Sequence, residues 1–254
     1  MANILEKYGI KEVADVMFYT ITDEGTAGAP VLYLDTLKVS TIEQTAEEVS
    51  ANGGKGNPPL ISWDYGKDIT VTLEDALFSA KSMAIMFGNG TVSTDVSSLK
   101  KTISWTATAT QTTPPTQFEG PQGKKYAVPS DATTYDATGA SASSFTAGQI
   151  YYTTFDMAIK DGTSGTIEIS ANSFPGTYYV TGDTYARSEK TGADEFFQFI
   201  IPKAKVTSEN TITLEAEGDP SVFNLNLHVL RPAGGGPMMK LVKYDMQEIT
   251  AAAG

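Results

Sequence analysis

The sequence predicts a mainly β protein with one α-helix. Apolar and polar residues alternate along many short stretches, and turn residues such as Pro175-Gly176 and Gly218-Asp219-Pro220 separate them, as is typical of strands joined by turns. Only residues 73–87 carry apolar side chains at the three-and-four spacing of a helix. A chain of 254 residues can form one large β domain with its own core.

The N-terminal third predicts a series of strands. Residues 12–22 and 31–40 alternate as strands do, and the polar residues 41–50 would place Glu43, Thr45 and Glu47 on one face if extended. Glycine, asparagine and proline make residues 52–59 a loop. In residues 67–73, Ile69 and Val71 face one way and the polar side chains the other, which predicts a strand with one wet face.

The predicted helix follows directly, with a cap near Thr72 and an end at Gly88. Its apolar stripe includes Leu77, Met83 and Phe87, which we expect to contact the core or a neighbouring subunit. The aromatic residues Tyr179 and Phe197, each beside a second aromatic residue on a predicted strand, lead to the same expectation.

The middle of the chain contains a compositional shift. Residues 111–147 are rich in Pro, Ser, Thr and Gly and poor in branched apolar side chains, so we expect a loop-like insertion within a single domain of residues 1–254. Strands are expected again over residues 149–160, along residues 166–231 and at residues 238–246.

Composition argues against catalysis. The chain has no cysteine and a single histidine, His228, on the polar face of a predicted strand, so neither a zinc site nor a Ser-His-Asp triad is expected. The glycine-rich loop lacks the spacing of a phosphate-binding loop. A net charge of −12, from 30 acidic and 18 basic residues, disfavours binding to DNA phosphates. We therefore expect no enzyme activity, catalytic residue, metal or cofactor.

The chain is also expected to be soluble. Its first residues do not have the pattern of a secretory signal, and no apolar stretch approaches the roughly 20 residues of a membrane helix. The absence of cysteine fits assembly in a reducing cytoplasm.

Several segments resemble the major tail tube proteins of long-tailed bacteriophages. The first is ISWDYGKDITVTLEDALFSAKSMAIMF, and the others are PGTYYVTGDTYAR, FFQFIIPKAKV and EAEGDPSVFNLNLHVLR in the C-terminal part. The resemblance implies a β-sandwich or small barrel with one flanking helix, six copies of which form a ring around a large inner β-barrel. Such rings would stack into the tail tube, the conduit for genome ejection.

The resemblance also suggests which residues line the lumen. The expected lumen-lining residues are Asp35, Glu43, Glu47, Asp68, Thr70 and Thr72. Acidic and hydroxyl side chains would let double-stranded DNA pass without binding it. Residues 52–59 and 111–147 are expected to serve ring stacking or the outer surface. The implied partners are further copies of the chain, a tape-measure protein, a tail terminator and baseplate or tip proteins. The implied location is a virion tail that is assembled in the host cytoplasm, without insertion into a membrane.

Two other classes stay open. A monomeric β-sandwich that recognises glycan would use the aromatic residues and the insertion as its ligand surface. A hydrolase would need carboxylates distant in sequence to meet in the fold.

Overall fold

The computed structural model describes residues 7–88, 90–109, 113–212 and 222–246, which contain fourteen strands and one α-helix. In chain order these elements are β1 (Tyr8–Ile10), β2 (Asp15–Ile21), β3 (Ala27–Leu34), β4 (Leu37–Asn52), β5 (Pro59–Asp75), α1 (Ala80–Phe87), β6 (Ser98–Thr106), β7 (Gln117–Glu119), β8 (Lys125–Ala127), β9 (Thr133–Asp136), β10 (Ile150–Ala158), β11 (Thr177–Ser188), β12 (Asp194–Val206), β13 (Phe223–Val229) and β14 (Lys240–Tyr244). The predicted class, mainly β with one helix, is confirmed.

The chain divides into two compact units. Unit 1 comprises Met1–Val92 and Ile167–Gly254, and unit 2 comprises Ser93–Thr166. That residues 1–254 act as a single tail-tube domain stays a prediction. Among the described residues, no helix has the length and apolar character needed to span a membrane.

Unit 1 is built on a nine-stranded antiparallel sheet. Its main path runs β3-β2-β11-β12-β13-β5-β4, with β1 paired to β11 and β14 paired to β12. Strands β3 and β4 are the two ends of this path, and the described part of the chain forms no closed barrel. The described residues of one chain therefore do not form the small barrel that the resemblance allowed.

One face of this sheet forms the core of unit 1. Side chains alternate between buried and accessible along each central strand, so that Val71 and Leu73 of β5, Phe18 of β2 and Ile201 of β12 are completely buried. Ile85 and Met86 of α1 belong to the same cluster. The helix therefore covers part of the apolar face, as expected of an apolar stripe on a short helix.

The helix begins later than its sequence pattern predicts. Residues 73–75 belong to β5, where Leu73 pairs with Ser40 of β4 and with Leu225 of β13. The helix starts after Ser79, whose hydroxyl accepts a hydrogen bond from the backbone N–H of Ser82 as part of a capping box. The predicted cap near Thr72 is therefore wrong, whereas the predicted end at Gly88 is confirmed.

Unit 2 has a small core of its own. Strand β10 is central in a sheet of order β6-β10-β9, and β7 pairs with β8 as a separate hairpin. Phe145 and Tyr151 are buried beside Trp105, whose Nε1 donates to Thr153 Oγ1 at 2.9 Å. The described part of the predicted loop-like insertion, residues 113–147, thus contains three short strands and a core aromatic residue.

Candidate functional site

A two-stranded arm projects from the sheet of unit 1. We define the arm as residues 45–67, which comprise the distal parts of β4 and β5 and the turn between them. Every residue of the arm is exposed except Gly53, which is half-buried. Only the proximal part of β5, from Thr70 to Asp75, pairs with a third strand, β13. The arm therefore has no described strand beside it and no core beneath it.

The arm carries an apolar face. Directly opposed residues in an antiparallel pair lie on the same face. Val49 opposes Trp63, Ala51 opposes Ile61, and Glu47 opposes Tyr65. Trp63 keeps 53% of its surface exposed and Ile61 keeps 57%. One side of the arm thus presents aromatic and branched apolar side chains to solvent.

The opposite side of the arm is polar apart from Leu60, which alternates with Ser62 along β5 and is 65% exposed. Glu48 directly opposes Asp64, and Ser50 opposes Ser62. The hydroxyl of Ser50 donates to Glu48 Oε1 at 3.3 Å. Like charges at directly opposed positions destabilise a strand pair, so the acidic pair on this side does not contribute to holding the arm together. The arm is therefore an amphipathic ribbon with both faces uncovered.

Local sequence explains why the arm forms. Residues 53–58 close the turn with a hydrogen bond from Gly53 N to Pro58 O at 3.2 Å. Gly54 and Gly56 there have φ values of +83° and +88°, which glycine adopts without a steric cost. The register shifts between the pairs Thr45–Asp68 and Glu47–Tyr65, next to Gly66 at φ +62°. This bulge lies at the base of the arm, next to the part of the hairpin that covers the core.

A second surface, which we call the polar face, lies on the solvent side of the sheet of unit 1. Its members on three neighbouring strands are Glu43, Asp68, Thr70, Thr72, Asn226 and His228. Glu43 and His228 both oppose Thr70, and Asn226 opposes Thr72. The structure thus brings four of the six predicted lumen residues together on one face, and it confirms the predicted position of His228 on a polar face.

Asp68 is the most constrained carboxylate of the polar face. Its Oδ1 lies 2.7 Å from Nε2 of His228, an ion-pair distance when the imidazole is protonated, although these atoms are not aligned for a hydrogen bond. Both side chains are 47% exposed. Oδ1 of Asp68 is itself buried, but the two side chains as a whole are half exposed, so solvent screens the pair and its contribution to stability is small.

The other two predicted lumen residues lie elsewhere. Asp35 is in the turn between β3 and β4, because these strands end at Leu34 and begin at Leu37 rather than forming one strand. Glu47 lies beyond the bulge, in the arm. The pKa of Tyr65 is raised above its ordinary value, mainly by its hydrogen bond to Glu47 and to a lesser extent by desolvation. That both residues line a lumen stays a prediction.

The predicted contact residues occupy varied environments. Leu77 precedes the helix and is 64% exposed, whereas Met83 and Phe87 are half-buried on α1. Tyr179 packs edge-on against Tyr19 at 6.2 Å, and Phe197 is half-buried on β12. Phe87 is packed against the core cluster of unit 1.

Charge is unevenly divided between the two units. Residues 93–166 contain five lysines and six acidic residues, a net charge of −1, so that −11 of the total of −12 belongs to unit 1. No group of three or more His, Cys, Asp or Glu side chains suited to a metal ion occurs among the described residues.

A comparison with curated proteins found no match. The model of the YomU/Tube protein family, in contrast, matches residues 8–241, a range that contains both the arm and the polar face. Because that match covers most of the chain, this mainly β protein belongs to the YomU/Tube protein family and is a phage tube-like protein.

Proposed function

We propose that this tube-like protein polymerises as stacked hexameric rings into a phage tail tube, the conduit for genome ejection into the host. The observation that carries the proposal is the uncovered apolar face of the arm. A two-stranded hairpin alone is at best marginally stable in water. Contiguous exposed apolar surface on a soluble protein marks an interaction site. The arm therefore needs a partner that covers Val49, Ile61 and Trp63.

The partner of the arm in this proposal is another copy of the chain. In a tube of stacked rings, a subunit meets further copies beside it and in the adjacent rings, so an exposed apolar surface such as the arm is available for contacts between subunits. Covering the arm would bury the exposed parts of Trp63, Tyr65 and Ile61, each more than half exposed in the single chain. Side chains of this size contribute most of the binding energy in protein interfaces.

The open edges of the sheet fit closure into a ring. Strands β3 and β4 end the main path of the sheet, and neither has a described partner on its outer side. Unpaired edges of this length favour association with further strands. Joining the edges of successive subunits would remove both edges and extend the sheet around a ring.

The polar face suits the wall of a DNA conduit. Glu43, Asp68, Thr70 and Thr72 lie together on β4 and β5, and unit 1 carries nearly all of the net negative charge. Carboxylates repel phosphates over about 8 Å at physiological salt. A lumen lined by this face would keep the duplex from binding to successive rings.

This assignment also covers partners and location. We propose that the protein is structural rather than an enzyme, that it assembles in the host cytoplasm, and that it meets a tape-measure protein, a tail terminator and baseplate or tip proteins. Double-stranded DNA would pass through without specific binding. The family supports a place in the virion tail.

Electron microscopy with matched variants tests the proposal. The purified protein should form hollow rings or tubes as its concentration rises. Ile61→Ser, on the arm, should suppress assembly and leave a folded monomer, because it removes apolar surface from the proposed contact. Ile169→Ser is the control, since Ile169 is 69% exposed but lies outside the arm. Monomers at all concentrations would instead favour a monomeric binding module.

Cysteine labelling tests the lumen separately. The chain contains no cysteine, so a single introduced thiol reports only on its own site. Glu43→Cys should react with a bulky polyethylene-glycol maleimide in the monomer and be protected in tubes. Asp131→Cys, exposed in unit 2, should react in both states. Equal labelling of Glu43→Cys in both states would refute a lumen position for the polar face.

A further inference from the structure

We propose that the arm of one copy binds an apolar patch at the start of α1 in the next copy, so that copies join head to tail. The inference rests on the proposed function, in which the partner of the arm is another copy of the chain. We define the helix patch as Phe78, Met83 and Phe223, which line one shallow depression in unit 1.

The helix patch is apolar and reaches the surface. Phe78 keeps 56% of its surface exposed, and Leu77, its neighbour in the chain, keeps 64%. The ring of Phe78 packs against that of Phe223, with the ring centroids 4.5 Å apart. Phe223 in turn packs against the core cluster of unit 1. The helix patch is therefore a place where the core continues to solvent, with its exposed ring supported from behind.

The polar side chains of the same depression are already hydrogen-bonded within the chain. Asp75 accepts hydrogen bonds from the hydroxyl of Thr36 and from the backbone N–H of Leu77. The hydroxyl of Ser82 donates to Ser79 O at 3.0 Å. The rest of the lining is apolar and comes from Leu34, Phe78, Met83, Met86, Phe223 and Leu225. An apolar occupant leaves these hydrogen bonds in place and removes exposed apolar surface from water.

The arm and the helix patch belong to opposite ends of the hairpin of β4 and β5. Phe223 is paired with Asp75, the last residue of β5, whereas Trp63 lies in the arm. Asp75 is twelve positions after Trp63 in the same strand, which is about 40 Å at about 3.3 Å per residue. The arm therefore cannot reach the helix patch of its own chain. A surface at one end that binds a different surface at the other end gives a heterologous contact, which repeats from copy to copy.

The side chains of the two surfaces suit each other. Trp63, with 53% of its surface exposed, is an aromatic residue on the apolar face of the arm. Aromatic rings favour offset or edge-on contact with other rings, which Phe78 and Phe223 offer. Met83, half-buried beside them, has a flexible side chain that adapts to the shape of its neighbours. The helix patch can therefore receive the ring of Trp63.

The small size of the helix patch favours a stack of copies over an isolated dimer. A stable interface buries about 800 Å² on each partner, from about 20–30 residues. The helix patch offers three side chains and the neighbouring Leu77, so a single contact is too small to hold two copies together. Between two of the proposed hexameric rings, six such contacts would act in parallel, and contacts in parallel raise the overall affinity greatly.

The helix patch of another copy is the main competing occupant. Two helix patches face to face would form a closed dimer, because the same surface is used on both copies. That arrangement leaves the apolar face of the arm in water, with Ile61 and Trp63 still more than half exposed. Binding of the arm to the helix patch covers both exposed surfaces at once and is therefore favoured.

Cross-linking between introduced cysteines tests the contact directly. Ala51 lies opposite Ile61 on the apolar face of the arm, and Ala80 is exposed at the first position of α1. Ala51→Cys and Ala80→Cys proteins, mixed, assembled and treated with a short bismaleimide, should give a covalent dimer that neither variant gives alone. Ala51→Cys mixed with Ala193→Cys is the control, because Ala193 is exposed in the turn between β11 and β12.

A matched pair of phenylalanine variants gives a second measurement. Phe78→Ser should raise the threshold concentration for assembly about fivefold or more, because it removes an exposed ring from the proposed contact. Phe174→Ser should leave the threshold unchanged, since Phe174 is 65% exposed but lies outside the helix patch. Urea unfolding of both variants shows whether each one still folds.

The outcomes separate this inference from the proposed function. A parent protein that stays monomeric at every concentration would overturn both. Tubes that form without a cross-link between Ala51→Cys and Ala80→Cys would overturn the head-to-tail contact and leave the tube intact. A cross-link between two copies of Ala80→Cys would show that helix patches pair with each other and would also overturn the inference.

Discussion

Two valines on the hairpin of β4 and β5 allow a matched test of where the core ends and the assembly surface begins. Val71 is completely buried on β5, whereas Val49 lies in the arm and keeps 51% of its surface exposed. Substitution by alanine removes two methyl groups at either site. At about 0.8 kcal/mol per buried carbon plus the cost of the cavity, Val71→Ala should lower the free energy of unfolding by about 2–3 kcal/mol. Val49→Ala should lower it by less than about 1 kcal/mol.

Urea unfolding of dilute, monomeric protein measures both values. At higher concentration, where the protein assembles, Val49→Ala should have the larger effect on assembly. It removes surface from the proposed contact between subunits, and Val71→Ala does not. Sedimentation across a concentration series would show this as a higher threshold for assembly of Val49→Ala. An equal loss of monomer stability in the two variants would refute the reasoning, since it would mean that the arm packs within its own chain.

Three further substitutions test the fold. Gly182→Ala would place a Cβ 2.1 Å from ring carbons of the buried Phe199, so thermal unfolding should show a loss of about 1–3 kcal/mol. Ser79→Ala removes the helix cap and should cost about 1 kcal/mol in urea unfolding, with an unchanged value refuting the capping box. The hydrogen bond from Arg187 holds the pKa of Asp194 below its usual value. This pair therefore stabilises the fold fully above about pH 4, the ordinary pKa of aspartate, and the stabilisation is lost as the pH falls through the lowered pKa. The difference in melting temperature between wild type and Arg187→Ala should therefore shrink on acidification.

Period-two patterns were reliable where one face of a strand is buried. Ile69, Val71 and Leu73 alternate with accessible polar residues in the structure as the sequence predicted, and so do Leu225 and Leu227 on β13. Burial on one face imposes this alternation on the amino acids themselves. For that reason, the polar face could be recognised before the strands were paired.

The start of the helix could not be read in the same way. Residues 73–77 fit helical spacing as well as a strand that ends in a turn, because two or three apolar positions satisfy either period. Because Leu73 pairs with two neighbouring strands, residues 73–75 belong to β5 and not to the helix. Leu77 N then donates a hydrogen bond to Asp75 Oδ1 at 3.2 Å, and the chain turns there towards α1.

The arm is where the structure adds most to what could be predicted from the sequence. The sequence indicates polar residues 41–50 that would share a face if extended and a glycine-rich loop after them; in the structure residues 41–50 are extended in β4, and the loop follows. The sequence did not single out Val49, Ile61 and Trp63 as one surface. These residues are up to fourteen positions apart and share a face only through the register of β4 against β5, which shifts at the bulge next to Gly66.

The amino acids alone specify the class of the protein, which is mainly β with one helix, without cysteine, strongly acidic, and tube-like in its motifs. These properties are encoded in single residues and in short-range periodicity. Strand pairing was needed to show that the acidic and hydroxyl residues of β4 and β5 lie together and that the arm presents an uncovered apolar face. Each of these depends on which strands pair and in which register, and pairing between segments distant in sequence is set by burial of the whole core rather than by local preference.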